Sequence, residues 1–136
     1  MSEQVKYAEE IPLFNAPLLT VWKRFRFEAA HWLPNVPERH KCHHMHGHSY
    51  EVQLGVTGRN DPRMGWVIDY ADIKAAFSEW LCVLDHNTIN SVTGLTNSTA
   101  ENLALWIAEK MKPKLPGLSC VRVFETPDAW VEYIVK

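Results

Sequence analysis

The sequence lacks the features that mark several large classes of protein. It has three cysteines in 136 residues, an odd number without framework spacing, which excludes a disulfide scaffold and favours a reducing compartment. No apolar run is long enough to span a bilayer. The N-terminus carries Glu3, Glu9, Glu10 and Pro12 where a secretory signal would be basic and then apolar. We therefore expect a cytoplasmic protein with no membrane partner.

The charge is small and balanced between the two signs. Fourteen basic and sixteen acidic side chains leave a formal net charge of −2, which does not favour a nucleic acid or an acidic membrane surface as a partner. With 46% apolar residues, the chain can bury the core of one globular domain. We interpret 1–18 as an N-terminal extension and 19–136 as that domain.

Histidine is concentrated in one short stretch. Four of the seven histidines lie between Cys42 and His48. The residues that follow His48 alternate between apolar and polar, as they do in a half-buried strand, and residues i and i+2 of a strand point to the same face. His46 and His48 therefore share a face with Tyr50 and Val52, and they offer two nitrogen ligands to one metal ion.

A third histidine lies on the apolar side of an earlier strand. Phe25, Phe27, Ala29 and His31 alternate with charged residues, which predicts a strand with these four side chains facing inward. If this strand pairs antiparallel with the next one, His31 lies beside His46 and His48. The pattern predicts a three-histidine metal site, for which zinc is the commonest ion. Polar residues that only satisfy one another near a loop are the simpler alternative.

Four further residues could carry chemistry. Cys42 follows Lys41, whose charge favours a thiolate, and it is either a base or nucleophile or the fourth ligand of a closed structural zinc site. Asp85 and His86 form either an acid–base pair or a helix C-terminal cap. Glu125 has the parity of an inward-facing strand residue, so its carboxylate needs a salt-bridge partner or a ligand with two adjacent N–H donors.

The periodicity of the chain predicts an α+β fold. The predicted elements are strands at about 19–30 and 48–58, a helix at about 70–84, a helix from Ser98 to before Pro113, and strands at about 119–126 and 129–135. The order β-β-α-α-β-β predicts a four-stranded antiparallel sheet with two helices on one face. A capping box of Ser98 and Glu101 opens the second helix, and we expect Cys82 and Cys120 in the core.

Six motifs in this order resemble one family, that of 6-pyruvoyltetrahydropterin synthase and 6-carboxytetrahydropterin synthase. They are Phe25-x-Phe27-Glu28-Ala29-Ala30-His31, Cys42-x3-His46-Gly47-His48, Gly65-Trp66-Val67-Ile68-Asp69, Leu84-Asp85-His86, Thr99-Ala100-Glu101 and Phe124-Glu125-Thr126. The short gap between Cys42 and His46 is similar to that of the bacterial 6-carboxytetrahydropterin synthases. The resemblance implies a tunnelling fold (T-fold), assembled as a homohexamer of two trimers with active sites between subunits.

The resemblance also implies a reaction and a role for each site residue. The substrate would be 7,8-dihydroneopterin triphosphate, converted with loss of triphosphate and acetaldehyde to 6-carboxy-5,6,7,8-tetrahydropterin for queuosine synthesis. One Zn²⁺ per subunit would bind to His31, His46 and His48. Cys42 would be the thiolate base, and Asp85 with His86 its proton-handling pair. Glu125 would bind the pterin through its carboxylate, and Thr99 and Glu101 would be pocket residues. A 6-pyruvoyltetrahydropterin synthase and a non-catalytic zinc-stabilised binding module remain the alternatives.

Overall fold

One mixed sheet organises the part of the chain that the computed structural model describes, residues 15–136. The five strands have the spatial order β3-β1-β2-β4-β5. The strands and helices are β1 Leu18–His31, β2 His46–Arg59, α1 Tyr70–Leu84, β3 Asn87–Thr88, α2 Ala100–Met111, β4 Leu118–Thr126 and β5 Ala129–Ile134. Of the predicted extension 1–18, residues 1–14 lie outside the described part, and β1 begins at Leu18.

The two long strands β1 and β2 form an antiparallel pair that fixes the position of the histidines. Their register places His31 opposite His46 and Ala29 opposite His48. Along β1, buried Phe25 and Phe27 alternate with exposed residues, as the sequence pattern predicts. Because the odd-numbered residues of β1 lie opposite the even-numbered residues of β2, the two inward rows meet in the core and the three histidines meet at its edge.

Both helices cover the inner face of the sheet. Helix α1 packs on β1, and α2 packs on β4 and β5. Asp69 caps α1 by accepting a hydrogen bond from the Ala71 amide. Helix α2 is capped by Thr99 and not by Ser98 as predicted, because the Ser98 side chain is buried toward His31. Among residues 15–136 no helix is long and apolar enough to cross a membrane.

The α+β class is confirmed, with two departures from the predicted details. A fifth strand, β3, pairs parallel with Ala29 and Ala30 of β1. It has two residues and so carries no periodicity that a sequence could show. Cys120 is buried as predicted, whereas Cys82 is exposed on α1, because it lies beside the apolar stripe of that helix and not within it.

Candidate active site

Three histidines converge where β1 ends and β2 begins. His31 is 1% exposed, and His46 and His48 are half-buried. Their ring centroids are 4.6 to 5.1 Å apart, and one ligand nitrogen from each lies within 4.8 Å of the others. The antiparallel register therefore produces the cluster that the strand parity predicts.

Backbone carbonyls orient two of the imidazoles. The Nδ1–H of His31 donates to the Ser98 carbonyl at 2.9 Å, and the Nδ1–H of His46 donates to the His44 carbonyl at 2.7 Å. Each bond leaves the Nε2 atom of that ring as the free ligand. The Nε2 atoms of His31 and His48 are buried and have no hydrogen-bond partner among the described residues, a condition that a metal ion would relieve. The donor set fits a divalent metal that prefers imidazole nitrogen.

A carboxylate faces these unpartnered nitrogens. The Oε2 atom of Glu125 lies 3.4 Å from Nε2 of His31 and 3.4 Å from Nε2 of His48. The nearby His31 imidazole lowers the pKa of Glu125 against the opposing effect of burial. Burial lowers the pKa of His48 although Glu125 raises it, and the neighbouring histidines lower it further. Burial therefore favours the neutral imidazole of His48, which is the form that binds metal.

Tyr50 forms the inner wall of the cluster and was not singled out by the sequence pattern as a site residue. Its ring stacks on Phe27 at 5.0 Å and meets the edges of His31 and His48. Burial, together with the charge of Glu125, raises the pKa of the Tyr50 hydroxyl far above its ordinary value. The hydroxyl therefore stays protonated next to the histidines.

Asp85 and His86 form a pair directly after α1. The Oδ1 atom of Asp85 lies 3.0 Å from Nδ1 of His86 and accepts the Glu28 amide at 2.9 Å. The His86 amide donates to the Glu28 carbonyl at 2.6 Å, and His86 has a φ of 59°. The hydrogen bond from the Glu28 amide is the main reason that the pKa of Asp85 lies below its usual value. Asp85 also closes α1 through its amide, which donates to Leu81, so the capping and pairing interpretations both describe the geometry.

A groove lies beside this pair, between the end of β1, the start of β2 and β3, with a volume of 450 Å³. His48 and His86 are among its lining residues. Glu28, Gly47 and Ser49 line it as well, and they alternate with the inward-facing row of their strands. This part of the groove therefore opens on the face of the sheet opposite the cluster.

Cys42 lies in the connection between β1 and β2, in a short 3₁₀ helix, Lys41–His43. It is half-buried, its amide donates to Nδ1 of His40, and its carbonyl accepts the Leu33 amide. Within residues 15–136, the candidate metal-binding group contains the three histidines and not Cys42. The geometry of one chain thus leaves the thiol outside the cluster.

Thr99 and Glu101, the predicted pocket residues, lie at the start of α2. Thr99 caps the helix by accepting a hydrogen bond from the Asn102 amide, while Glu101 is exposed in the first turn. Thr99 follows Ser98, whose carbonyl holds His31. Thr99 is therefore one residue from a contact with the cluster, whereas Glu101 lies in the exposed first turn of α2.

Comparisons with known proteins agree with this geometry. Residues 20–135 match the family model described as 6-pyruvoyl tetrahydropterin synthase. A 6-carboxy-5,6,7,8-tetrahydropterin synthase from Synechocystis sp. is 34% identical over 119 residues, which cover 83% of this chain and 91% of that protein. A dihydroneopterin monophosphate aldolase from Pyrococcus furiosus is 32% identical over 94 residues, which cover 69% of this chain and 75% of that protein.

The fold has a solved counterpart. The structure of Caenorhabditis elegans 6-pyruvoyl tetrahydropterin synthase superposes with a TM-score of 0.82 at 30% identity, over 89% of this chain and 98% of that chain. This likeness confirms the predicted T-fold. The family model, the relatives and the fold lead to one conclusion: the chain belongs to the 6-pyruvoyl tetrahydropterin synthase family of enzymes.

Proposed function

We propose that the protein is a zinc-dependent lyase that converts 7,8-dihydroneopterin triphosphate to 6-carboxy-5,6,7,8-tetrahydropterin, with release of acetaldehyde and triphosphate, in queuosine synthesis. The observation that carries the proposal is the cluster of His31, His46 and His48, with the Glu125 carboxylate beside it. The similarity to the 6-carboxy-5,6,7,8-tetrahydropterin synthase of Synechocystis sp. supports this choice of reaction.

The three histidines would hold the zinc ion through nitrogen and leave one position open. The Nδ1 bonds of His31 and His46 to backbone carbonyls fix the ring orientation that this binding needs. A zinc ion bound there would act as a Lewis acid on the side-chain oxygens of the substrate.

The chain's own groups would then handle protons and orient the pterin. Cys42, as thiolate, would remove a carbon-bound proton from the substrate side chain. Asp85 holds His86 by a 3.0 Å contact, so His86 can pass a proton at the mouth of the groove. Glu125 would accept hydrogen bonds from the 2-amino group and a ring N–H of the pterin.

Thr99 and Glu101 would complete the substrate pocket from the start of α2. Thr99 is half-buried one residue after Ser98, and Glu101 is exposed. The hydrogen bond between His31 and Ser98, the residue before Thr99, supports this assignment.

The edges of the sheet support assembly into a ring. Within the described residues, β3 pairs only with Ala29 and Ala30 of β1, so 18–28 present an open edge on the side away from β2. Strand β5 forms the other edge of the sheet and exposes Trp130 and Ile134. Open strand edges of this length favour pairing with another chain. We propose that the edges of neighbouring subunits pair in a trimer and that two trimers form a homohexamer.

The second candidate is a 6-pyruvoyl tetrahydropterin synthase, which removes the triphosphate and keeps the side-chain carbons. It is favoured by the TM-score of 0.82 with the Caenorhabditis elegans enzyme. A zinc-stabilised binding module with Cys42 as fourth ligand has less support, because the candidate metal-binding group within residues 15–136 is made by the histidines without Cys42.

The test is incubation of the zinc-loaded protein with 7,8-dihydroneopterin triphosphate, followed by mass analysis of the pterin and an acetaldehyde assay. We expect the 6-carboxy product and acetaldehyde, both lost in Cys42→Ala and retained in Cys82→Ala, a matched control at an exposed cysteine. A pyruvoyl product would move the protein to the second candidate. The same incubation is repeated with 7,8-dihydroneopterin monophosphate. Turnover of the monophosphate alone would contradict the proposed substrate, and no turnover of either compound would favour the binding module.

A further inference from the structure

The side chain of Asn90 is bound on both of its polar atoms to the segment that follows His31. Its Oδ1 atom accepts the Trp32 amide at 3.0 Å, and its Nδ2 atom donates to the Trp32 carbonyl at 2.7 Å. The same Nδ2 atom donates to the Thr96 carbonyl at 3.0 Å. A side-chain amide that pairs with both backbone groups of one residue fixes that residue as a neighbouring strand would.

Ser98 acts on the same segment from the other end of the connection. It is 1% exposed. Its carbonyl and its hydroxyl lie 2.9 Å and 3.2 Å from Nδ1 of His31, and its hydroxyl also donates to the Trp32 carbonyl at 3.2 Å. Asn90 and Ser98 therefore meet at one carbonyl, directly after a candidate metal ligand.

The segment that follows His31 also contacts Cys42. The Leu33 amide, one residue beyond Trp32, donates to the Cys42 carbonyl at 2.8 Å. Asn90 itself lies four residues after His86 on the connection between α1 and α2. Asn90 thus binds the residue that lies between His31 and Leu33, and Leu33 in turn contacts the turn that carries the thiol.

We propose that Asn90 and Ser98 are positioning residues that hold the His31 imidazole with Nε2 toward the metal and couple it to the Cys42 turn. This inference rests on the proposed function in that it assumes a metal on His31. Groups that orient a histidine ligand through its second nitrogen contribute about 10- to 100-fold in metal affinity. Ser98 keeps its carbonyl in any side-chain variant, so Asn90 is the residue whose replacement tests the proposal.

The experiment compares Asn90→Ala and Asn90→Asp with the wild-type protein. The aspartate keeps the acceptor for the Trp32 amide and removes both donated bonds. Asn102→Ala is the matched control, because Asn102, in the first turn of α2, donates from its side-chain Nδ2 to the Asn97 carbonyl at 2.9 Å and makes no hydrogen bond with Trp32. Zinc affinity is measured by chelator competition, and exchange of the Leu33 amide hydrogen is measured in the metal-free protein.

We expect zinc affinity to fall about 10-fold in Asn90→Ala, the low end of the loss for a group that contacts the ligand itself, because Asn90 acts on His31 through Trp32. A loss is expected also in Asn90→Asp, and Leu33 exchange should accelerate in both. Asn102→Ala should match the wild type in both readouts. At saturating zinc, kcat should fall in the Asn90 variants while KM stays close to the wild-type value. If Asn90→Ala does not fold, the aspartate variant decides the result.

Zinc affinities within threefold of the wild type in the folded Asn90 variants would overturn the proposal. So would an equal loss in Asn102→Ala, since the effect would then be a general loosening of the connection. Unchanged Leu33 exchange would overturn the coupling to Cys42. Wild-type protein that binds zinc but does not turn over the pterin would contradict the proposed function and not the positioning role of Asn90 and Ser98. Wild-type protein that binds no zinc would contradict both.

Discussion

Replacement of Glu125 by glutamine separates the pterin-binding role of this carboxylate from its proximity to the metal ligands. The side chain is 31% exposed, and its Oε2 atom lies 3.4 Å from the Nε2 atoms of both His31 and His48. Glutamine keeps the length and one carbonyl oxygen, but it presents an amide donor in place of the second oxygen. It also removes a negative charge beside the proposed metal ligands, so the pterin affinity must be compared at saturating zinc.

The size of the effect follows from the hydrogen bond that the carboxylate would lose. A hydrogen bond to a charged group contributes about 1.5–3 kcal/mol. Since 1.4 kcal/mol is about a factor of ten, the affinity for the pterin should fall about 10- to 150-fold in Glu125→Gln. Glu125→Asp keeps the charge near the metal site but withdraws it by one methylene. Any loss of zinc affinity in Glu125→Gln should therefore be reversed in Glu125→Asp, whereas the pterin affinity should stay low.

The assay is titration of zinc-saturated protein with pterin itself, followed by its fluorescence, together with zinc affinity by chelator competition. Equal pterin affinities in wild-type protein and Glu125→Gln would refute the assignment of the carboxylate as the pterin acceptor. Recovery of both affinities in Glu125→Asp would show that the charge alone, and not the reach of the side chain, is what matters.

Three further predictions concern stability. Gly55→Ala should lower the free energy of unfolding in urea by about 1–3 kcal/mol, because the added Cβ would lie 2.9 Å from the Trp22 ring. Gly47→Ala, where the nearest contact of the added Cβ is 3.6 Å, should be close to neutral in the metal-free protein. Equal losses in the two variants would contradict the steric reason. The Glu28 amide lowers the pKa of Asp85, so the folded carboxylate contributes stability above its unfolded value of about 4, and this contribution is lost as the pH falls through the folded pKa. Asp85→Asn should therefore be less stable than the wild type near neutral pH and approach it in acid, and a pH-independent difference in urea midpoint would contradict this. Chelation of zinc should abolish turnover but leave a cooperative thermal transition by circular dichroism, whereas unfolding on chelation would favour a structural site.

The strand parity was enough to predict the histidine cluster, because a period of two fixes which side chains share a face. His31, His46 and His48 all lie on the buried parity of long strands, so one antiparallel pairing brings them together. The proximity of Glu125 to two of these rings was not predictable in the same way. It depends on the register between β2 and β4, where Phe124 lies opposite Glu51, and parity does not determine register between strands distant in sequence.

The contacts of the connections were also beyond the sequence pattern. Ser98 and Thr99 are both good helix-capping residues, and only tertiary packing decides that Thr99 caps α2 while Ser98 turns toward His31. Strand β3 and the pairing of Asn90 with Trp32 depend on where the chain returns to the end of β1. Such long-range contacts carry no local signal.

Loading of the metal-free protein with cobalt(II) tests whether the three histidines bind a metal ion with an open position and with Cys42 outside the ligand set. Such a site predicts the visible bands of a tetrahedral ion without an intense sulfur-to-cobalt charge-transfer band, and a spectrum that Cys42→Ala leaves unchanged. A strong charge-transfer band that disappears in Cys42→Ala would contradict the three-histidine site, because Cys42 would then be a ligand of a closed site and could not serve as the base.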